Sequence, residues 1–63
     1  MTLSERIIEY RARNDLSQSE FADKVGVGRD IIGRAENGRK VSRLTEAKIN
    51  LVLRGESIKK RKM

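Results

Sequence analysis

Sixty-three residues allow one small domain, and the absence of cysteine and histidine removes both disulfide staples and the usual zinc ligands as means of holding it together. The net charge of +6 is unevenly spread: residues 1–28 carry four basic and five acidic side chains, residues 29–63 eleven and four, which predicts one cationic face turned toward a polyanion. With no proline, one phenylalanine and one tyrosine, the chain lacks the usual materials of a β-sandwich or barrel, so an all-α fold is expected. No apolar run approaches the roughly 20 residues of a membrane span, and no signal-peptide pattern opens the chain.

Thr2-Leu3-Ser4-Glu5 matches a capping box, and Leu3, Ile7, Ile8 and Tyr10 follow at helical spacing, which predicts a first helix to about Asn14. Asn14-Asp15 ends it. Ser17-Gln18-Ser19-Glu20 is a second capping box, opening a helix whose apolar face is Phe21, Ala22 and Val25. Gly26 then stands where the chain must reverse, since glycine tolerates positive φ, and Val27 is expected to tuck into the core. Gly28 is a weak N-cap for a third helix with Ile31, Ile32 and Ala35 on its apolar side. Asn37-Gly38 closes that helix, with Gly38 suited to a left-handed position. Gly33 in mid-helix costs about 1 kcal/mol relative to alanine. Close approach of a duplex or of a neighbouring helix would explain it.

Arg39-Lys40-Val41-Ser42 is a short basic loop. Ser42 caps a fourth helix, Arg43 to Leu53, whose apolar residues are Leu44, Ala47, Ile49, Leu51, Val52 and Leu53, and Gly55 stops it. The expected core joins Phe21, Val25, Val27 and Ile32 to Leu3, Ile7 and Leu51. Helices 2 and 3 thus form two short rods hinged at a glycine, with arginines opposite the apolar side of the second. That is the layout of a helix-turn-helix, whose second helix enters a DNA major groove.

The residues that specify the pattern further are Leu16-Ser17-Gln18 leading into helix 2, Phe21-Ala22 on it, and Val25-Gly26-Val27 at the turn. Ile32 in helix 3, Glu36-Asn37-Gly38 after it and Arg11 in helix 1 complete the set. Over about residues 3–53 the chain resembles the DNA-binding domains of phage repressors and Cro proteins, the lambda-repressor-like or Xre-type helix-turn-helix family. The resemblance implies a compact four- to five-helix bundle, so the expected domain is residues 1–55, and the composition of residues 56–63 predicts a flexible basic tail. It also implies a salt bridge between Arg11 and Glu36 that ties helix 1 to the end of helix 3.

By the same resemblance, base edges are read by Gly28, Arg29, Asp30, Gly33 and Arg34. Either arginine can pair bidentately with guanine O6 and N7. Asp30 can accept from cytosine N4, or serve as a favourable acid in the first helical turn and orient an arginine. Ile31 can reach a thymine methyl or pad the core. Phosphates fall to the start of helix 2, with the Gln18 side chain, and to Asn37, Arg39, Lys40 and Arg43. Arg13 and the tail residues Lys59, Lys60, Arg61 and Lys62 are further phosphate candidates.

The chain departs from the family after Leu53. Relatives commonly add a fifth apolar helix that often makes the dimer contact, whereas here Arg54-Gly55-Glu56-Ser57-Ile58 leads into charge. Ile49, Val52 and Ile58 are the apolar residues left for a symmetric patch. The expected function is sequence-specific transcriptional regulation of the phage or mobile-element Cro/repressor type. The partner is a pseudo-palindromic operator in double-stranded DNA, bound by a possible homodimer that forms in solution or only on DNA. With no second domain for effector sensing, the simple Cro-like version is favoured. Freedom from cysteine fits a reducing cytosol, and a regulator of this type is expected in the bacterial cytoplasm, associated with the nucleoid. No enzymatic activity, cofactor, metal or small-molecule ligand is expected, and no membrane. The alternatives are an accessory DNA factor, excisionase-like or architectural, and an antitoxin-type protein-interaction module. A steep salt dependence of binding separates DNA from an apolar protein partner.

Overall fold

The fold is known from a computed structural model, which describes residues 2–55. The basic tail, with Ile58, Lys59, Lys60, Arg61 and Lys62, lies outside the described residues. The chain forms four helices, α1 (Leu3–Asn14), α2 (Gln18–Val25), α3 (Arg29–Glu36) and α4 (Arg43–Leu53), and no strand among the described residues.

Local chemistry sets where each helix starts. Thr2 Oγ1 accepts from the Glu5 backbone N–H at 3.2 Å while Glu5 Oε1 accepts from the Thr2 N–H at 3.0 Å. Ser17 and Glu20 repeat the reciprocal pair at 3.0 and 2.8 Å, and Ser42 Oγ accepts from the Thr45 N–H at 3.1 Å. Each such cap contributes about 1 kcal/mol by satisfying a helix donor that has no partner in the preceding turn.

Left-handed residues set where the helices stop. Gly26 has φ +91°, and its N–H and that of Val27 both donate to the Ala22 carbonyl, at 2.7 and 3.1 Å. This reverses the chain between α2 and α3. Asp15 closes α1 at φ +55°, the non-glycine residue that takes on this conformation among those described. Aspartate tolerates it better than most residues.

The core is one cluster of Ile7, Phe21, Ala22, Val25, Ile32, Ala35 and Ile49, drawn from all four helices. Tyr10 leans on Phe21 with ring centroids 5.6 Å apart. Leu3, Leu16, Val27, Val41, Val52 and Leu53 are half-buried against this cluster.

Three apolar positions depart from the sequence reading. Leu51, expected in the core, is 40% exposed, and Ile8 is 46% exposed; α4 instead contributes Ile49, which is fully buried. Helix geometry accounts for the exchange. Ile49, Val52 and Leu53 are spaced i, i+3 and i+4 and share one face, whereas Leu51 is two residues from Ile49 and so about 200° away from it. Of the symmetric patch expected from Ile49, Val52 and Ile58, Ile49 is fully buried and Val52 half-buried against the core, while Ile58 lies outside the described residues. The large apolar side chains that α4 leaves exposed are Leu44 and Leu51.

Candidate nucleic-acid interface

The inner side of α3 is fixed by Ile32 and Ala35, both essentially inaccessible to solvent. Its C-terminal end is fixed by polar contacts. Arg11 Nη1 donates to Glu36 Oε2 at 2.9 Å, and Gln18 Nε2 donates to Glu36 Oε1 at 3.0 Å, so both carboxylate oxygens are engaged. Arg11 also donates through Nε to the Leu16 carbonyl at 3.1 Å, which ties the α1–α2 turn to the same cluster. Ser4 Oγ donates to the Glu36 carbonyl. Glu36 is only 9% exposed and Arg11 23%, so loss of either partner leaves a charge short of both water and counter-ion. The chain then turns at Gly38, φ +79°, with Arg39 N–H donating to the Arg34 carbonyl at 2.9 Å and Gly38 N–H to the Ala35 carbonyl at 3.2 Å. These two bonds satisfy carbonyls that the end of a helix leaves unpaired.

The outer side of α3 is open. Gly28, Arg29, Asp30 and Arg34 are exposed, and neither arginine meets a carboxylate among the described residues. Asp30 and Arg34 lie four apart and so share one side of the helix, with Gly33 beside them and Arg29 on the flank. The five positions expected to face bases are thus carried by one short helix and its cap. An α-helix with its side chains is about 10–12 Å across, which a B-DNA major groove about 12 Å wide admits. Ile31 is half-buried on the margin between this side and the core.

Two glycines of this helix differ. A Cβ built on Gly33 would meet nothing within 4 Å, so no neighbouring helix accounts for that glycine. A Cβ on Gly28 would lie 2.7 Å from Asp30 Oδ1, because the aspartate carboxylate folds back over the helix start.

The residues expected at phosphates fall in two places. Asn37, Arg39, Lys40 and Arg43 are all exposed between the end of α3 and the first turn of α4, where they form a basic edge. Gln18 is half-buried, and one of its two amide N–H groups is committed to Glu36. A phosphate contact at this point therefore narrows to the second N–H and to the backbone at the start of α2. Arg13 is paired with Glu9 one turn earlier at 3.2 Å, on an exposed part of α1.

The sequence reading missed several polar contacts, that of Gln18 with Glu36 and that of Arg11 with the Leu16 carbonyl among them. Ser4 to Glu36 and Arg6 Nη1 to Asn50 Oδ1 (3.0 Å) join residues 32 and 44 apart and have no local signature. Glu9–Arg13 did have one, an acid four residues before a base on a helix. No group of potential metal ligands occurs among the described residues, and no helix there is long and apolar enough to cross a membrane.

Comparison with known proteins agrees with this geometry. A family model described as helix-turn-helix, HTH_3, matches residues 7–53, from the buried Ile7 to the last residue of α4. No curated protein and no solved structure matches the chain significantly. The matched span includes the Arg11–Glu36 tie, α2 and α4 with their serine caps, the glycine turn and the exposed side of α3, and the chain is a member of the Xre and lambda-repressor-like helix-turn-helix family, a DNA-binding regulator of that kind.

Proposed function

We propose that this protein is a transcriptional repressor of the phage or mobile-element Cro type, which inserts α3 into the major groove of an operator and blocks transcription. The observation that carries the reading is the outer side of α3: two arginines and an aspartate, exposed and unpaired with any described side chain, on a helix whose other side is buried. Arg29 and Arg34 supply guanidinium forks for guanine, and Gly28, Asp30 and Gly33 complete the surface that meets base edges. Asn37, Arg39, Lys40 and Arg43 hold the phosphates beside the groove, with the start of α2 and Gln18 on the other flank. Residues 1–55 are the reading domain, and the four basic side chains of residues 56–63 are further phosphate candidates. The working compartment is the bacterial cytoplasm.

Two copies on a pseudo-palindrome place two α3 helices one turn of DNA, about 34–36 Å, apart. Selection of bound duplexes from a random library tests this directly. The expected result is an enriched inverted repeat with half-site centres about 10 base pairs apart. A pool no different from the input after several rounds would overturn the function. A single short site without a repeat would overturn the dimer and keep the reader.

A further inference from the structure

Gly28 has an ordinary extended backbone, φ −74° and ψ 154°, so no left-handed turn demands a glycine there. It also caps α3 without any side-chain hydrogen bond, at a place where serine, threonine, asparagine or aspartate would stabilise the helix. What the missing side chain does is make room. The carboxylate of Asp30 occupies the space, with Oδ1 2.7 Å from where a Cβ would stand. Asp30 takes this position instead of reaching Arg34, its neighbour one turn on, with which it makes no ion pair.

We infer that Gly28 is a positioning residue for base recognition, acting through Asp30. The inference rests on the proposed reading of DNA by α3. A carboxylate folded over the first turn of α3 puts a pure acceptor at the end of the helix that enters the groove. There it repels a phosphate that the helix terminus would otherwise attract. It also disfavours base edges that present acceptors, guanine O6 and N7 or thymine O4. Cytosine offers the N4 amino group without a neighbouring acceptor on its own edge, so it is the base this arrangement favours. Adenine presents its N6 amino group beside the N7 acceptor and is a poorer match. Arg29 and Arg34, in contrast, seek acceptors. The helix therefore carries an ordered series of acceptor and donor groups, and the glycine leaves open the place where the acceptor stands.

A four-protein comparison tests this: wild type, Gly28→Ala, Asp30→Asn and the double variant, each measured on duplexes differing at every position of the selected site. Gly28→Ala is compatible with the backbone angles, and only the flexible end of Asp30 must move, so the fold should be kept with a modest drop in melting temperature, alanine being a poorer N-cap than glycine. At one base pair the wild type should prefer cytosine by about tenfold, within the range of a good side-chain-to-base contact. Gly28→Ala should cut that preference to within about threefold, leave preferences at the other positions in place, and change nothing further in the Asp30→Asn background. A Gly28→Ala protein with the wild-type preference at that position, or an effect that adds independently to Asp30→Asn, would overturn the positioning role and leave DNA reading by α3 standing. A wild type that selects no sequence removes both.

Discussion

The two ends of α3 are held in opposite ways. At the C-terminal end, Arg11, Gln18 and Ser4 converge on Glu36 from α1 and α2, and a glycine turn seals the last carbonyls. At the N-terminal end a glycine caps the helix with no side-chain bond, and Arg29, Asp30 and, a turn later, Arg34 stand in solvent. The anchored end sets the angle at which the helix leaves the bundle. The exposed side, from the cap to Arg34 in the last turn, keeps its charged groups unpaired among the described residues, so stability rests on the C-terminal anchor and the buried side, and recognition on the opposite side of the same eight residues.

The sharpest way to break that division is to cut the anchor. Glu36→Ala leaves Arg11 half-buried without its counter-ion and should cost about 3–5 kcal/mol in chemical denaturation. A loss below about 1 kcal/mol would mean the cluster behaves as a surface pair. At the open end the pattern reverses. Arg34→Ala or Arg29→Ala should leave unfolding within about 0.5 kcal/mol of wild type. Each should weaken binding to the selected duplex by about 1–3 kcal/mol, with far less effect on scrambled DNA. Equal losses on both duplexes would reduce that arginine to a phosphate clamp.

Gly33→Ala sharpens the comparison in the middle of the helix. With no atom within 4 Å of the added methyl, stability should rise by about 1 kcal/mol. On the proposed docking, in which the duplex approaches on that side, specific binding should fall. Unchanged binding would show that DNA does not come close there. The smallest effect belongs to the basic edge: Lys40→Ala should weaken all sequences alike and reduce the slope of log K against log salt by about one.

Much of this fold was legible because its signals are local. Thr2-Glu5 and Ser17-Glu20 announce helix starts three residues apart, and Gly26, Gly38 and Gly55 mark stops where positive φ is required. The face of α4 was less legible. Its apolar residues fall on both sides of the helix, and periodicity alone does not say which side meets α1 and α2. Packing chose Ile49 and left Leu44 and Leu51 outside. The anchoring of α3 was partly legible through the family pattern that pairs Arg11 with Glu36. The contributions of Gln18 and Ser4 were hidden, since they bridge 18 and 32 residues of sequence. The placement of Asp30 over Gly28 depends on a rotamer, which no residue pattern encodes.

The most direct test of the interface is an NMR titration of the protein with its selected duplex. Backbone amides of residues 28–34 and 39–43 should shift most, together with those at the start of α2. The groove between α1 and α4, lined by Arg6, Glu9, Tyr10, Arg13 and Leu53, should stay silent. Shifts centred on that groove, with α3 unchanged, would contradict the account.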